Sequence, residues 1–483
     1  MSGKGSSKHG SLTSRAGTFA EPAAPRRAHL IGIGGSGMRS LAQTLIGWGW
    51  RLTGSDRALE ATQGLSAQGV VIHAGHAPAH LPEGTDLVIS SDAVPPDNPE
   101  LRRAREMGLP AKSYFAFLGD LMATRRGVAV AGTHGKSTTA AMAASLLVRA
   151  GLDPTVVYGA AMLGAPAGGR AGRGDLMLVE ACEYRENFLH LSPRHAAILN
   201  IEHDHFDCYP TFDRLERAFT RFAESLPPDG VMLAAEGCPI VGRVARSCRC
   251  AVETFGRGRG AAWRAVPVGT CRGRCRFEIV HRGRSMGEVR LRVAGRHNVL
   301  NALAAAALAW HNGVAPDRIA SGLSRFPGLR RRLEMLGTYR GIVLIDDYAH
   351  HPTELNAALE AVRRWFPGRR LWCVFQPHQA SRTRRLAGEL AAGLTAADKA
   401  VVCDVFRARD PAPRPDDVTA ACLAARARAV GGDVADVHAI ADVIRYVSNQ
   451  LAPGDVLLTA GAGDVRKVCD GLLERLREDR AAG

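Results

Sequence analysis

Gly132-Thr133-His134-Gly135-Lys136-Ser137-Thr138 holds the residues of this chain best suited to chemistry. An apolar run at 127–131 leads into it and an alanine-rich run at 140–148 follows. A strand, a glycine loop with Lys-Ser and a helix form a phosphate cradle, in which backbone N–H groups and the helix N-terminus attract polyphosphate. Lys136 supplies a point charge, and the Ser137 hydroxyl can hold a magnesium ion. The glycine usual five residues before Gly135 is Val130 here, so the loop has the shortened form Gly-x-x-Gly-Lys-Ser. The chain has only six lysines, and one falls in this loop, which argues against a plain glycine turn.

Two strand ends bring further groups. Asp175-Leu-Met-Leu-Val-Glu180 reads as a buried strand ending in a carboxylate, with Glu183 three residues on. Ala196-Ala-Ile-Leu-Asn-Ile201 runs into Glu202-His-Asp-His205. Parallel α/β sheets collect ligand groups at the carboxyl ends of their strands, so Lys136, Ser137, Glu180 and His205 are expected to converge as a magnesium and triphosphate site. A second candidate lies upstream: a short strand, then Gly32-x-Gly34-Gly35-Ser36-Gly37, a helix over 38–48 and a strand ending in Asp56. Asp56 falls 19 positions after Gly37, near the spacing at which a carboxylate meets a ribose. The pattern indicates a nucleotide diphosphate; NAD is its default ligand, and a UDP-sugar satisfies the same physics.

Stepping from these groups to their supports, the whole chain alternates strands and helices. At 483 residues, 46% apolar and 23% charged, it has room for two to four domains. We read a leader at 1–25 rich in Gly, Ser and Pro, then domains at 26–123, 124–325 and 326–483. The third follows the junction Phe326-Pro-Gly-Leu-Arg-Arg-Arg-Leu-Glu334 and carries Asp346-Asp347-Tyr348-Ala-His350-His351, Gln376-Pro-His378-Gln379 and Arg382 near strand ends. Adjacent histidines point apart on a strand, so His350 and His351 read as substrate contacts rather than as one metal site. Asn298 and Asn301 open an alanine-rich helix and either face a base or cap the helix. Over 240–292, Arg, Gly and Cys dominate and two hairpin-like strands appear. The cysteine pairs there lack the Cys-x2-Cys spacing of zinc sites.

The net charge of +15 comes mostly from arginines spread along the chain, which reads as a solvated surface and argues against nucleic acid as a partner. Eleven cysteines without a framework spacing, no apolar leader and no run of membrane-spanning length indicate a cytoplasmic protein without membrane insertion.

Taken in order, Gly32-Ile-Gly-Gly-Ser-Gly37, Gly132-Thr-His-Gly-Lys-Ser137, Asn200-Ile-Glu-His-Asp-His205, His297-Asn-Val-Leu-Asn301, Gly328-Leu-Arg-Arg-Arg-Leu-Glu334, Asp346 to Glu354 and Gln376-Pro-His378 make the chain similar to the Mur ligases, ATP-dependent amide-forming ligases of peptidoglycan precursor synthesis. The resemblance covers residues 28–470 and is strongest to the alanine-adding branch. It implies three α/β domains: a Rossmann-like UDP-binding domain, a P-loop-type ATPase domain and a Rossmann-like C-terminal domain. The reaction it implies joins L-alanine to UDP-N-acetylmuramate through an acyl phosphate, by a monomer or homodimer using ATP and Mg2+. Gly132, Thr133, His134, Gly135, Lys136, Ser137 and Thr138 would hold ATP with Asn298, Arg332 and Asp347. Ser137, Glu180 and His205 would hold metal. Gly32, Gly34, Gly35, Ser36, Gly37 and Asp56 would bind UDP, and Tyr348, His350, His378 and Arg382 the amino-acid side. Lys136, His205, His350 and Arg382 are the implied catalytic set.

Three departures stand out. Cys182-Glu183-Tyr184-Arg185 replaces the family's Asp-Glu-Ser-Asp, Gln379 replaces an arginine expected on the amino-acid carboxylate, and no lysine occurs between Lys136 and Lys399. The last argues for the alanine-adding branch, because sister ligases use a carbamylated lysine there. A peptide-adding recycling ligase, or one using glycine or serine, is the alternative within this chemistry. An NAD-dependent oxidoreductase leaves the Lys136 loop without a role, and a non-catalytic nucleotide-binding protein would not need the phosphate lysine and the metal groups together.

Overall fold

Short apolar runs separated by helical stretches build three sheets. The computed structural model describes residues 26–271, 273–408, 410 and 414–481, so the leader expected at 1–25 lies outside the described residues. The first sheet contains β1 (Arg27–Ile31), β2 (Arg51–Asp56), β3 (Val71–Ala74), β4 (Leu87–Ser90) and β5 (Ala111–Ser113), all parallel, in the order β3-β2-β1-β4-β5. Strand order reverses between β1 and β4, and the first glycine loop leaves β1 at that switch point, where such sheets bind ligands.

Helix α1 (Ser36–Gly47) carries this domain against the next one. Ser40 Oγ donates to the Tyr158 carbonyl at 2.7 Å and accepts from the Gly168 amide at 3.1 Å. A Cβ on Gly169 would stand 1.7 Å from the Ser40 carbonyl oxygen, so the approach requires glycine.

The central sheet has ten strands: β6 (Arg126–Ala131), β7 (Thr155–Val157), β8 (Gly169–Arg170), β9 (Leu176–Glu180), β10 (His195–Ile198), β11 (Val231–Ala235), β12 (Ala251–Gly256), β13 (Trp263–Cys271), β14 (Arg274–His281) and β15 (Arg284–Ala294). Strand β6 lies between β9 and β10, parallel to both, which brings the phosphate loop and both expected strand ends to one edge. Two alanine-rich helices, α2 (Lys136–Arg149) and α3 (His297–His311), pack together over it, and their small side chains permit close contact. The hairpin expected within 275–293 forms as antiparallel β14 and β15. Phe277, Ile279, Val289 and Leu291 alternate inward while Arg274, Arg276, Arg290 and Arg292 face solvent, so this segment's arginines are the wet face of a sheet.

The third sheet holds β16 (Glu334–Tyr339), β17 (Ile342–Asp347), β18 (Leu371–Phe375), β19 (Lys399–Val402), β20 (Val434–Asp436) and β21 (Val456–Ala460), ordered β16-β17-β21-β18-β19-β20. Only its edge strand β16 is antiparallel. Helix α4 (Pro352–Trp365) follows β17. Among the described residues no helix is long and apolar enough to cross a membrane.

Candidate active site

The phosphate loop turns on two residues that must be glycine. Gly132 and Gly135 have φ of +132° and +82°, and a Cβ on Gly135 would lie 2.5 Å from Asn301 Oδ1 on α3. Asn200, just past β10, fastens the loop: its carbonyl accepts from the Thr133 amide at 3.1 Å and its Oδ1 from the His134 amide at 2.7 Å. The loop thus stands beside the end of β10 before any ligand arrives.

Lys136 Nζ reaches Glu183 at 2.8 Å and also donates to the Thr133 carbonyl. Burial would lower the lysine pKa, but Glu183 outweighs it and holds it above its ordinary value. Burial conversely opposes the Glu183 charge, yet Lys136 and His205 bring that carboxyl down to about 2. Neighbouring Cys182 is pushed up to about 12, mainly by burial, so the thiol is neutral where the family carries an acid. Ser137 Oγ sits 3.0 and 2.9 Å from the two oxygens of Glu180, and Glu180 Oε2 accepts from the Gly159 amide at 2.7 Å. A hydroxyl and a carboxylate oriented together beside a lysine are hard oxygen donors of the kind magnesium takes. His205 Nε2 lies 3.6 Å from Glu183 Oε1, on a backbone with φ +53°, an uncommon conformation for a non-glycine residue. Lys136, Ser137, Glu180 and His205 are therefore brought together, and Glu183 joins them. Sequence reasoning passed over Glu183 as a site residue, although its place three residues beyond a strand-end carboxylate was a usable signal.

The first domain closes one side. Asp56 Oδ2 accepts from the Gly34 amide at 2.7 Å and Oδ1 from the Ala58 amide at 2.9 Å. This carboxylate ties the glycine loop to the end of β2, so loop support accompanies any ribose contact. Gly35 bonds back to the Gly32 carbonyl, and a Cβ on Gly37 would crowd the Tyr114 hydroxyl at 2.9 Å. Ser36 reaches the other site: the Cβ position of Gly159 is 3.6 Å from Ser36 Oγ and 3.3 Å from Glu180 Oε2.

A cavity of about 170 Å³ opens between the central and third sheets. It is lined by His134, Gly135 and Thr138 from the loop, Asn298 from α3, and Arg332 and Asp347 from the C-terminal part, six of the residues named for ATP. Asn298 does not cap its helix: it lies inside α3, donates to the Ala294 carbonyl at 2.6 Å and accepts from Asn301 at 3.0 Å. The capping alternative is thereby corrected, because the helix begins before Asn298. Burial raises the Asp347 pKa to about 6 although Arg332 and the Leu333 and Ala349 amides oppose it. Arg332 stands 5.0 Å over the Tyr348 ring and 4.0 Å from Glu354.

His350 packs 5.6 Å from His378, whose Nδ1 lies 3.0 Å from Arg382 Nη1. Arg382 is buried and engages both oxygens of buried Asp204 at 2.8 and 3.1 Å, a bidentate pair across two domains. It faces a protein carboxylate here rather than standing free for an amino acid. A second cavity, about 420 Å³, lies where all three domains meet, lined by Asp92, Tyr184, Arg185, Gln379, Arg384, Arg385 and Arg414 among others. The arginine missing at Gln379 thus has cationic neighbours around this space.

Burial pushes His195 and His350 down to about 4, helped at His195 by His311 and opposed at His350 by Glu354. Their ordinary value is about 6.5, so between pH 6.5 and 4 the unfolded chain binds more protons than the folded one. The contribution of these two histidines to stability is then full above pH 6.5 and falls toward pH 4, by up to about 3 kcal/mol per histidine. The thermal midpoint is expected to drop across that window; a flat or rising profile contradicts the assignment.

A P-loop sheet beside one parallel and one mostly parallel α/β sheet, with carboxylates and an imidazole gathered at the loop, defines a nucleotide-using α/β enzyme. The chain belongs to the Mur ligase family. Family models match in sequence order: the Mur ligase family catalytic domain over 27–126, the Mur ligase middle domain over 130–309 and the Mur ligase glutamate ligase domain over 331–463. The chain is 40% identical over 460 residues to the UDP-N-acetylmuramate–L-alanine ligase of Salinibacter ruber, covering 94% of this chain and 96% of that one. Its fold matches the UDP-N-acetylmuramate-alanine ligase of Thermotoga maritima with a TM-score of 0.81 and 27% identity, covering 94% and 99% of the two chains. A murein peptide ligase of Psychrobacter arcticus matches at 0.72 with 25% identity, covering 93% and 98%.

Proposed function

We infer that this protein is an ATP-dependent ligase joining L-alanine to the carboxylate of UDP-N-acetylmuramate in peptidoglycan precursor synthesis, working in the cytoplasm. The observation that carries the chemistry is the meeting of Lys136, Glu183 and His205 with the Ser137–Glu180 pair. The 40% identity over nearly the full length supports the substrate pair. Carboxylates are poor electrophiles because oxide is a poor leaving group. The muramoyl carboxylate attacks the γ-phosphate, releasing ADP; the alanine amine then attacks the acyl carbon, and phosphate leaves. Lys136 and the loop amides neutralise the phosphates, and closure of the third domain over the site would exclude water that hydrolyses the acyl phosphate. Ser137 and Glu180 would hold one magnesium and His205 a second metal ion, which together would supply charge neutralisation and alignment. Asn298, Arg332 and Asp347 would contact the nucleotide, and the first glycine loop the UDP moiety. Tyr348, His350 and His378 would face the amino acid.

Gln379, which stands where the family carries an arginine and lines the three-domain cavity, favours one second reading, addition of a peptide, which needs a wider amino-acid site. An ADP-release assay with UDP-N-acetylmuramate against alanine, glycine, serine and a tripeptide separates the two. Alanine is expected to give the highest turnover; activity with glycine, serine or the tripeptide but none with alanine refutes the substrate assignment.

A further inference from the structure

His134, Glu202 and His351 come from the phosphate loop, the end of β10 and the start of α4. One ligand atom from each lies within 4.8 Å of the others. His134 Nε2 is buried and stands 3.5 Å from Glu202 Oε2; His351 Nδ1 is 3.8 Å from the same oxygen. Against the effect of burial, Glu202 and Glu354 hold the His134 imidazole above its ordinary pKa, so an ion would displace its proton. Ligand atoms bound at about 2.0–2.2 Å to a tetrahedral ion lie roughly 3.4 Å apart, so both separations are close to those of a filled site. The outer contacts also fit. His134 Nδ1 lies 3.1 Å from Glu354 Oε1, the carboxylate–histidine arrangement that leaves Nε2 as the ligand atom. Thr353 Oγ1 donates to Glu202 Oε2 at 2.6 Å and orients it. Glu202 is 36% exposed on its side chain, which gives an ion a way in.

We propose that His134, Glu202 and His351 form a site for a borderline transition-metal dication such as Zn2+, spanning the phosphate loop and the C-terminal domain. Two imidazoles and one carboxylate suit zinc, cobalt or nickel and do not suit magnesium, which prefers oxygen ligands. The site shares no ligand with the Ser137, Glu180 and His205 group, so its failure leaves the ligase reading intact. Its ligands come from both sides of the domain junction, so a bound ion clasps the third domain onto the loop.

The test uses the nucleotide-free full-length chain titrated with Co2+ and, separately, Zn2+. His351 caps α4 by accepting from the Thr353 amide at 3.3 Å, a long bond that the ion would replace. Asn is a good cap, so His351→Asn removes the ligand while keeping the helix start; Glu202→Gln is the second variant. The expected result is one tight equivalent of Co2+ with visible d–d bands and no sulfur-to-cobalt charge-transfer band. Affinity should fall at least about tenfold in both variants, and Zn2+ should raise the thermal midpoint of the parent but not of His351→Asn. Equal affinity in parent and variants overturns the proposal. So does a thiolate charge-transfer band, which would place the ion on cysteines such as Cys248 and Cys250, whose sulfurs lie 3.0 Å apart.

Discussion

Replacing Lys136 with Ala is expected to lower ADP release by at least about a thousandfold while leaving binding of the UDP substrate largely intact. The lysine is the cation inside the phosphate loop, and its ammonium is already aimed by Glu183 and the Thr133 carbonyl. Its removal takes away the charge that stabilises phosphoryl transfer and strands the buried Glu183 carboxylate beside His205. The UDP substrate is proposed to meet the loop after β1, which contains no part of this pair. Single-turnover ADP release and calorimetric titration with UDP-N-acetylmuramate read the two effects separately. Near-normal turnover in the variant would falsify the site assignment.

Arg382→Ala is expected to be the most damaging change at the domain interface. Asp204 is buried, its charge favoured by the Arg382 guanidinium against the cost of burial, and its carboxyl held well below the usual range. Removing the arginine leaves that charge unpaired, an effect of about 3–5 kcal/mol. The junction between the central and third domains should loosen, the radius of gyration from small-angle scattering should rise, and turnover should fall on the order of a hundredfold or more. Adding Asp204→Asn removes the stranded charge and should recover part of the compactness. A single variant with parental dimensions and turnover rules out this role for the pair.

The two glycine loops, the strands feeding them and the alanine-rich helices were legible because each is a short-range pattern. Positive φ at Gly132 and Gly135 follows from residue type, and buried strands such as Leu176–Glu180 announce themselves by continuous apolar runs. Six of the residues that the family motifs propose for the nucleotide, from His134 to Asp347, lie far apart in the chain and line a common cavity. The side chains that join domains were harder to read. Glu183, Asp204, Glu202 and Glu354 are ordinary acids in the sequence, and nothing in their spacing says which cation each will meet.

Sequence alone determined the class of sheet, the positions of both phosphate-type loops, the lysine and hydroxyl within the second, and the family. Those features depend on neighbours a few residues away, where backbone geometry and side-chain period suffice. Tertiary structure alone decided that Lys136 pairs with Glu183, that Arg382 spans 178 positions to Asp204 and that His134 spans 220 to Glu354. It also placed the buried His134 imidazole next to Glu202 and His351. The physical reason is that a buried charge takes whichever opposite charge packing brings within reach, and that choice is made only when the three sheets come together.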